Sequence, residues 1–432
     1  MRGAGLLSRR VALGAAGALA AGAIAKGLLG GEPDAAKGRL KASLWFCYGG
    51  KNREVLLAMI DRFHAEQDRY FIHAVYQGDY FEGLAKLRTA VAAKAVPALT
   101  HVVGEVLPYL AEAGVLEPLD RFAGAEKADF GLVPALSQEG CFIDGDKRPV
   151  YGLPFNRSTP IVYYNKKIFA SLGLSPPRSW AELREVARAA TARTSDGVQC
   201  WGHACPTDWW FWVALVGQAG GQVIDPDGSA SLGGDAGVRA LELWQAMVHA
   251  DKTMRPPPGR DYNAWQVVNT DFLSGRAAMI WTSTAFLRYL EENAKFEVGA
   301  APLPSDVRAS VPTGGTMFVM PKGAPAREQE AAFAFLRWMM LPAQANDWAT
   351  RTGYMPVSKE GMRILEESGY YKKHPNDRVA VDQLAHAFPW PWAPGLFRVQ
   401  REAVQPRLEQ AVLEQRDARA TLDEARKAAS EP

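Results

Sequence analysis

The sequence predicts an α/β fold in which parallel strands form a sheet covered on both faces by helices. The evidence is a β-α-β-α-β order of short apolar runs and amphipathic helical stretches after residue 39. The chain length of 432 residues, with 48% hydrophobic and 22% charged residues, is typical of two or three globular domains. The predicted strands are Leu40 to Cys47, Tyr70 to Tyr76 and Ala98 to Val103, and the predicted helices are Val55 to Gln67 and Phe81 to Ala95.

The loops that follow these strands are the first candidates for a binding site. Open sheets of this kind bind ligands in the crevice at the carboxyl ends of their strands. The loops concerned are Tyr48 to Arg53, Gln77 to Tyr80 and Gly104 to Pro108.

A second unit begins where two β-like runs, Val150 to Phe155 and Pro160 to Tyr164, are separated by four polar or small residues. The pattern after it predicts helices at 180–194, 235–250, 263–273, 326–340 and 401–415, and strands at 277–281, 296–300 and 317–320.

The N-terminus has the plan of a signal peptide over residues 1–25. A basic start with Arg9 and Arg10 precedes an apolar run of small residues, which ends in the cleavage-type sequence Ala23-Ile24-Ala25. Ser8 to Leu13 also resembles a twin-arginine signal, so the twin-arginine and general export routes both stay open. The Gly- and Ala-rich residues 26–39 are predicted to be a linker, and we expect the mature protein outside the cytoplasm.

Net charge and cysteine content exclude some functional classes. The net charge of +2 becomes −1 when residues 1–25 are removed, and this provides no electrostatic basis for binding nucleic acid. Cys200 and Cys205 are the closest of the four cysteines, but their pairing cannot be deduced from the sequence. A metal site of Cys200, His203 and Cys205 is disfavoured because no second cluster completes it.

Several segments in order carry a family resemblance. The segment GLPFNRSTPIVYYNKKIF, which starts at Gly152, resembles the crossover segment of bacterial extracellular solute-binding proteins of family 1, in particular their glycerol-3-phosphate-binding branch. Five further segments resemble that branch in the same order: VYQGDYFEGLAKL before it, and AAMIWTSTAFL, PTGGTMFVMPKG, WATRTGYMPVSKEG and GYYKKHPNDR after it.

The resemblance implies a two-lobed, type II periplasmic-binding-protein fold with a ligand cleft between lobes that are joined by multiple hinge crossings. By analogy, one lobe takes 40–157 plus 316–360 and the other 158–315 plus 361–428. The implied role is the exported receptor of an ABC importer, which closes on a small polar ligand by hinge bending and delivers it to the permease and ATPase subunits. The implied ligand is glycerol 3-phosphate or a glycerophosphodiester, with a sugar or oligosaccharide as the alternative. We expect a monomer without a cofactor.

Five candidate ligand contacts follow from the resemblance: Tyr80, Ser158, Ser283, Gly315 and Tyr354. A phenol suits an interlobe cleft because it buries a ring while its hydroxyl forms a hydrogen bond. A glycine brings its backbone amide close to an anion without a side chain in the way. For each side chain the competing interpretation is ordinary packing.

Arg401 matches the anion-binding arginine of that branch, since a guanidinium can hold a phosphate bidentately. Arg398 or Arg407 could instead be the counterpart of the family's anion-binding arginine. Arg401 could also be an ordinary arginine on the surface of a helix. The branch has a hydroxyl-binding glutamate where ungapped alignment gives Gly104. Glu105 lies one residue later and is the candidate here.

The aromatic block Trp209 to Trp212 has two interpretations. Some of its rings must belong to the core, whereas Trp210 matches a cleft tryptophan that would stack on the C–H face of a polyol or sugar. The branch has an aromatic residue where this chain has Thr207, which implies a wider pocket. Trp45 and the Trp390-Pro391-Trp392 segment are further candidates, and the latter is better explained as loop packing.

A secreted glycoside hydrolase or phosphodiesterase is the alternative of a different class. A glycosidase needs two carboxylates at a defined separation, which sequence spacing cannot exclude. However, the chain has no G-x-S-x-G, H-E-x-x-H or G-x-x-x-x-G-K-[ST] motif, and its histidines are dispersed. The sequence therefore favours a receptor without catalytic residues.

Overall fold

A computed structural model describes residues 36–123, 130–140, 149–225, 228–255 and 261–430, without the side chains of 261 and 262. The predicted signal peptide, most of the predicted linker and Cys141 lie outside the described residues. The strands are β1 Leu40–Phe46, β2 Tyr70–Tyr76, β3 Leu99–Val103, β4 Leu153–Ser158, β5 Pro160–Asn165, β6 Ala192–Thr194, β7 Gly197–Ala204, β8 Ala277–Ser283, β9 Val298–Ala301, β10 Val311–Pro312, β11 Gly314–Val319 and β12 Ala387–Phe388.

Helices cover the strands. The α-helices are α1 Gly50–Glu66, α2 Tyr80–Ala92, α3 Leu107–Glu112, α4 Asp120–Ala123, α5 Pro134–Ser137, α6 Lys166–Ser171, α7 Trp180–Ala190, α8 Trp209–Gln218, α9 Asp235–Gln245, α10 Asp261–Leu273, α11 Leu287–Asn293, α12 Ala326–Met339, α13 Pro342–Thr352, α14 Lys359–Glu367, α15 Tyr370–Lys373, α16 Pro375–Gln383, α17 Leu396–Arg398, α18 Gln405–Glu414 and α19 Ala418–Ser430. Short 3₁₀ turns lie at Gly104–Val106, Thr284–Phe286 and Leu384–His386, and π-helical turns at Ala246–Ala250 and Val399–Val404.

The first sheet has the strand order β2-β1-β3-β11-β4. Strands β1, β2 and β3 are parallel, as the β-α-β-α-β order predicts, with Leu40 opposite Tyr70. The complete sheet is nevertheless mixed, because β11 is antiparallel to both β3 and β4. The reason is topological: β11 enters this sheet on the return from the second sheet and not through a helical βαβ crossover.

The second sheet has the order β6-β7-β8-β5-β9 and is also mixed, with β7 and β8 parallel and the other pairs antiparallel. A single residue, Thr159, separates β4 of the first sheet from β5 of the second. The chain returns between β9 and β11, so polar residues at both crossings lie near the junction of the two sheets.

Each sheet has its own apolar core. The first is built on β1 and helix α12, with Leu44, Phe46 and Phe335 buried. The second contains the fully buried Trp209 and Trp212 on α8. The two cores account for a molecule of two lobes, and a further apolar cluster that includes Leu136, Met355 and Ile280 packs the lobes against each other.

Candidate functional site

Tyr80 and Tyr354 meet at the edge of the first sheet. Tyr80 begins helix α2, whose N-terminus is held by a capping box: Asp79 Oδ1 accepts from the backbone nitrogens of Phe81 and Glu82, each at 2.8 Å, and Glu82 Oε2 accepts from Asp79 N at 3.1 Å. The two phenol oxygens lie 3.3 Å apart. The structure therefore brings together two candidates that are 274 residues apart in sequence.

Asn156 on β4 joins the two tyrosines and is a residue that sequence reasoning missed. Its Nδ2 donates to Tyr80 Oη at 3.1 Å and to Tyr354 Oη at 3.3 Å. Its Oδ1 accepts from Thr316 N at 2.9 Å and from the Thr316 hydroxyl. Asn156 is fully buried, so these bonds satisfy a side-chain amide whose burial without partners would destabilise the fold. They also fix both phenols at the first sheet. Its place inside the GLPFNRSTP segment was the signal that could have found it.

Tyr354 is oriented by the turn that ends helix α13. Gly353 has φ +108°, and a Cβ there would lie 2.5 Å from the carbonyl oxygen of Thr284. The Tyr354 ring stacks on Trp348, with centroids 5.7 Å apart and planes 11° from parallel. Because Thr284 follows strand β8 of the second sheet, the backbone of this turn packs closely against that sheet.

Ser158, Ser283 and Gly315 lie at the crossings between the sheets. Ser158 is buried on β4 opposite Gly314, and Ser283 is buried on β8 opposite Pro160. Ser283 Oγ caps the 3₁₀ turn after it, accepting from Ala285 N at 3.2 Å. The Ser283 hydroxyl therefore already has one structural role, and its O–H donor and a second lone pair remain for other partners.

Gly315 has a backbone conformation that disfavours other residues. Its φ is +89°, and a Cβ would lie 1.7 Å from the carbonyl oxygen of Asn156. It also lies at the register shift between β11 and β4. A side chain here would thus displace the backbone that carries Asn156.

We expect Gly315→Ala to lower the free energy of unfolding by more than the left-handed backbone cost of about 1–2 kcal/mol alone, because the methyl group also overlaps a backbone carbonyl. Urea denaturation measures this. Gly395→Ala is the matched control, since Gly395 has φ −77° and nothing within 4 Å of its Cβ position. Equal stability of the two variants would contradict the strained geometry assigned to Gly315.

Trp210 is part of the apolar core of the second sheet and also contacts the segment where the chain crosses between the sheets. The cap by Asp208, whose Oδ1 accepts from Trp210 N at 2.8 Å, fixes the start of helix α8. Trp210 Nε1 donates to Thr313 O at 3.1 Å, and its ring lies where a Cβ on Gly314 would be. Trp209, Phe211 and Trp212 are fully buried, so the core interpretation applies to them. Trp390 donates to the same Thr313 oxygen at 2.9 Å.

Glu105 lies buried in the 3₁₀ turn after β3, beside two charged residues that the sequence did not single out. Arg157 donates through Nη2 to Glu139 Oε2, and both side chains are almost fully buried. Thr313 Oγ1 and Trp390 N donate to Glu139 Oε1, the latter at 3.2 Å. Burial, and secondarily the Glu139 charge, raises the pKa of Glu105 to about 8.

The raised pKa of Glu105 predicts a pH effect on stability. The ordinary value is 4.5, so between about pH 5 and 8 the unfolded chain loses a proton that the folded chain retains, and stability falls as the pH rises. We expect Glu105→Gln to remove this part of the decline and to be more stable than the wild type at pH 8 but not at pH 5. Denaturant titrations at both pH values measure the difference. Exposed Glu54→Gln is the control, and parallel curves for wild type and Glu105→Gln would contradict the assignment.

Arg401 lies in the π-helical turn Val399–Val404 of the C-terminal segment. Its Cζ is 3.9 Å from the ring centroid of Phe81, the residue after Tyr80. This contact places a guanidinium of the C-terminal segment beside the start of helix α2. It is the only one of the three candidate arginines that does so within the described residues.

Arg398 and Arg407 are used in helix packing. Arg398 donates to the carbonyl oxygens of Ala428 and Ala429, at 3.3 and 2.8 Å, and so ties helix α19 to the C-terminal segment. Arg407 donates to the carbonyl oxygens of Glu402 and Ala403, at 3.2 and 2.7 Å. Of the three, Arg401 has the position best suited to an anion.

Among the described histidines, His101 contacts the site, because its ring lies edge-on to that of Tyr80, with centroids 5.8 Å apart. Cys200 and Cys205 are both free thiols, whose Sγ atoms donate to Trp201 O and Pro206 O, respectively. Within the described ranges no group of three His, Cys, Asp or Glu residues is arranged to hold a metal ion. Burial lowers the pKa of His203 to about 3, which keeps it neutral.

The molecule has two five-stranded sheets, each covered by helices, and polar groups collect where the chain crosses between them. This arrangement defines a two-lobed binding protein. Comparison with known proteins agrees. Residues 58–375 match the family model described as bacterial extracellular solute-binding protein, and the chain belongs to this family. The predicted class of protein and the type II fold are confirmed.

Named relatives fall into two groups. The chain is 27% identical over 369 residues to the sn-glycerol-3-phosphate-binding periplasmic protein UgpB of Escherichia coli (strain K12), covering 82% of each. It is 25% identical to UgpB from Mycobacterium tuberculosis, solved in complex with glycerophosphocholine, with a TM-score of 0.78 and coverage of 91% of this chain and 98% of that one. Maltose-bound MalE3 of T. maritima is 18% identical with a TM-score of 0.79, covering 90% and 98%, a likeness of fold alone.

Proposed function

We propose that this protein is the exported receptor of an ABC importer and binds glycerol 3-phosphate or a glycerophosphodiester between its lobes. The observation that carries the proposal is the position of Arg401 over Phe81, at the start of the helix whose first residue, Tyr80, is paired with Tyr354. A guanidinium and phenol hydroxyls are donors of the kind that a phosphate accepts. The named relatives that bind glycerol 3-phosphate or carry glycerophosphocholine support the same ligand class.

The residue at 207 supports a diester at least as well as a monoester. Thr207 is buried, and its hydroxyl has no hydrogen-bond partner within the described residues. Its carbonyl oxygen accepts from Gln405 Nε2 at 2.7 Å, so the backbone is fixed while the side chain is small. A small residue at this position leaves room for the second substituent of a phosphodiester.

A sugar is the second candidate ligand, and the tryptophans favour it. Trp210 and Trp390 converge on the carbonyl oxygen of Thr313, which puts two indoles beside the crossing. Flat aromatic surfaces suit the C–H faces of sugars as well as of glycerol. In either case the ligand would bridge the lobes, stabilise a closed state and present it to the permease, and the ATPase would drive release into the cell.

The compartment proposed for this receptor is the periplasm or another space outside the cytoplasm, reached through the signal peptide at 1–25. Its partners would be the permease and ATPase subunits, and it would act as a monomer without catalytic residues or a cofactor. Within the described residues no helix has both the length and the apolar character needed to cross a membrane.

A ligand screen followed by titration tests the proposal. Glycerol 3-phosphate, glycerophosphocholine, maltose and maltotriose would be compared by thermal shift and then by calorimetry, with turnover measured on glycosides and phosphodiesters. We expect saturable binding of a phosphorylated ligand without turnover. Binding of a sugar alone would overturn the phosphate assignment but not the receptor role, whereas saturable turnover would overturn the receptor role.

A further inference from the structure

An ion pair joins the two lobes outside the candidate ligand contacts. Lys51 Nζ lies 2.9 Å from Glu292 Oε1. We propose that Lys51 and Glu292 form a latch, an ion pair that stabilises the closed arrangement of the lobes and so tightens the binding of every ligand by about the same factor. The inference rests on the receptor function proposed above, and it concerns closure and not the identity of the ligand.

The two residues of the latch belong to different lobes. Lys51 lies in the first turn of helix α1, whose Val55 is buried in the core of the first sheet. Glu292 lies in the last turn of helix α11, whose Leu290 is buried with Ile280 of strand β8 in the second sheet. Each charge is therefore carried by a helix packed on its own sheet, and a change in the angle between the lobes would separate the two charges.

A second contact between the lobes lies on the other face of the first sheet. Helices α1 and α2 cover opposite faces, because α1 packs in one apolar cluster with Phe318 and α2 packs in another with the neighbouring Met317. On the α2 face, the Arg401 guanidinium lies over Phe81. The second lobe thus contacts the first from both sides, as closure requires, and the latch is the contact on the α1 side.

The electrostatics of each helix alone disfavour both charges of the latch. A helix carries a partial positive charge at its N-terminus and a partial negative charge at its C-terminus, so Lys51 at a start and Glu292 at an end each oppose it. Helix α1 has no acidic residue in its first turn, and helix α11 has no basic residue in its last turn. The two residues therefore gain from each other a stabilisation that neither gains from its own helix, and they gain it only when the lobes meet.

The exposure of the two side chains sets the size of the expected effect. The side chains of Lys51 and Glu292 are 35% and 49% exposed, so both charges keep part of their water in the pair. Exposed ion pairs contribute modestly and are screened by salt. A receptor whose closed state is less populated binds each of its ligands more weakly by the same factor. Loss of the latch should therefore weaken binding by about 2- to 5-fold, whichever ligand is bound.

Reversal and exchange of the two charges test the latch. Calorimetry would measure glycerol 3-phosphate, glycerophosphocholine and maltotriose on the wild type, Lys51→Glu, Glu292→Lys and the double variant. We expect each single reversal to raise the dissociation constant of every one of these ligands that binds the wild type, by about 2- to 5-fold, and the difference to shrink in 1 M NaCl. The double variant restores opposite charges at the two positions, so its dissociation constants should return to those of the wild type.

Lys166→Glu is the matched control, because Lys166 is also 35% exposed, begins helix α6 and pairs with Glu297 within the second lobe. It should leave every dissociation constant unchanged. If the single reversals have no effect, or if the double variant binds as weakly as they do, the latch is wrong while the receptor proposal stands. A loss for Lys51→Glu alone would assign that lysine to ligand binding and also overturn the latch. If the wild type binds none of the three ligands, the receptor proposal fails and the latch fails with it.

Discussion

Arg157→Met is expected to lower the free energy of unfolding by about 3–5 kcal/mol, because it leaves the Glu139 carboxylate buried without its counter-charge. Arg157 is fully buried and the Glu139 side chain is only 2% exposed, so water cannot replace the lost partner. The remaining donors to Glu139 come from Thr313 Oγ1 and Trp390 N. Urea denaturation of the wild type and the variant at pH 7 measures the loss.

Two further variants decide how this loss is interpreted. The double variant Arg157→Met with Glu139→Gln removes both charges and should recover part of the lost stability. Arg363→Met removes an exposed arginine that bonds Glu360 and Glu367, and we expect little change there. A loss for Arg157→Met no larger than that for Arg363→Met would contradict the buried ion pair.

Arg401→Ala is expected to raise the dissociation constant for glycerol 3-phosphate by about 10- to 100-fold, which corresponds to the loss of a hydrogen bond to a charged group, about 1.5–3 kcal/mol. The half-buried guanidinium over Phe81 has partly lost its water, which strengthens its interaction with an anion. The effect should be much smaller for an uncharged sugar. Calorimetric titration of both ligand types measures the difference.

Arg407→Ala is the matched control, because Arg407 lies six residues further along the same segment and donates to backbone carbonyl oxygens. It should leave glycerol 3-phosphate binding unchanged. If Arg407→Ala weakens binding and Arg401→Ala does not, the anion-binding role belongs to the other arginine. If neither matters for a phosphate that does bind, the guanidinium account of phosphate recognition is wrong.

Local patterns predicted the elements well where periodicity was strong. Strand Tyr70–Tyr76 has the predicted bounds, and helix α12 ends one residue before the prediction. The strand Gly197–Ala204 was missed because Gly202 interrupts its apolar pattern. The helix that begins at Trp180 was predicted to reach Thr194 but ends at Ala190, because Ala192–Thr194 form the short strand β6.

The sheet order could not be predicted from local patterns. The sequence indicates the first three parallel strands, but β11 joins them about 200 residues later and runs antiparallel to β3. Such pairing depends on long-range packing that no window of residues contains. The residue bounds assigned to the two lobes remain a prediction.

The residues of the candidate site could likewise be predicted only in part from the sequence. The family resemblance provided Tyr80, Tyr354 and Arg401, and the structure brings the first two within 3.3 Å of each other. It could not provide the Glu139–Arg157 pair, because an acid and a base 18 residues apart, in no shared motif, do not signal contact. Their contact with the ligand stays a prediction.

We expect a small polar solute to close the two lobes on each other. Small-angle X-ray scattering of the mature protein, without ligand and with a saturating amount of the ligand that binds tightest in the screen, tests it most directly. Hinge closure predicts a smaller radius of gyration with the ligand and an unchanged value in the presence of a solute that does not bind. An identical radius of gyration with and without a tightly bound ligand would contradict it.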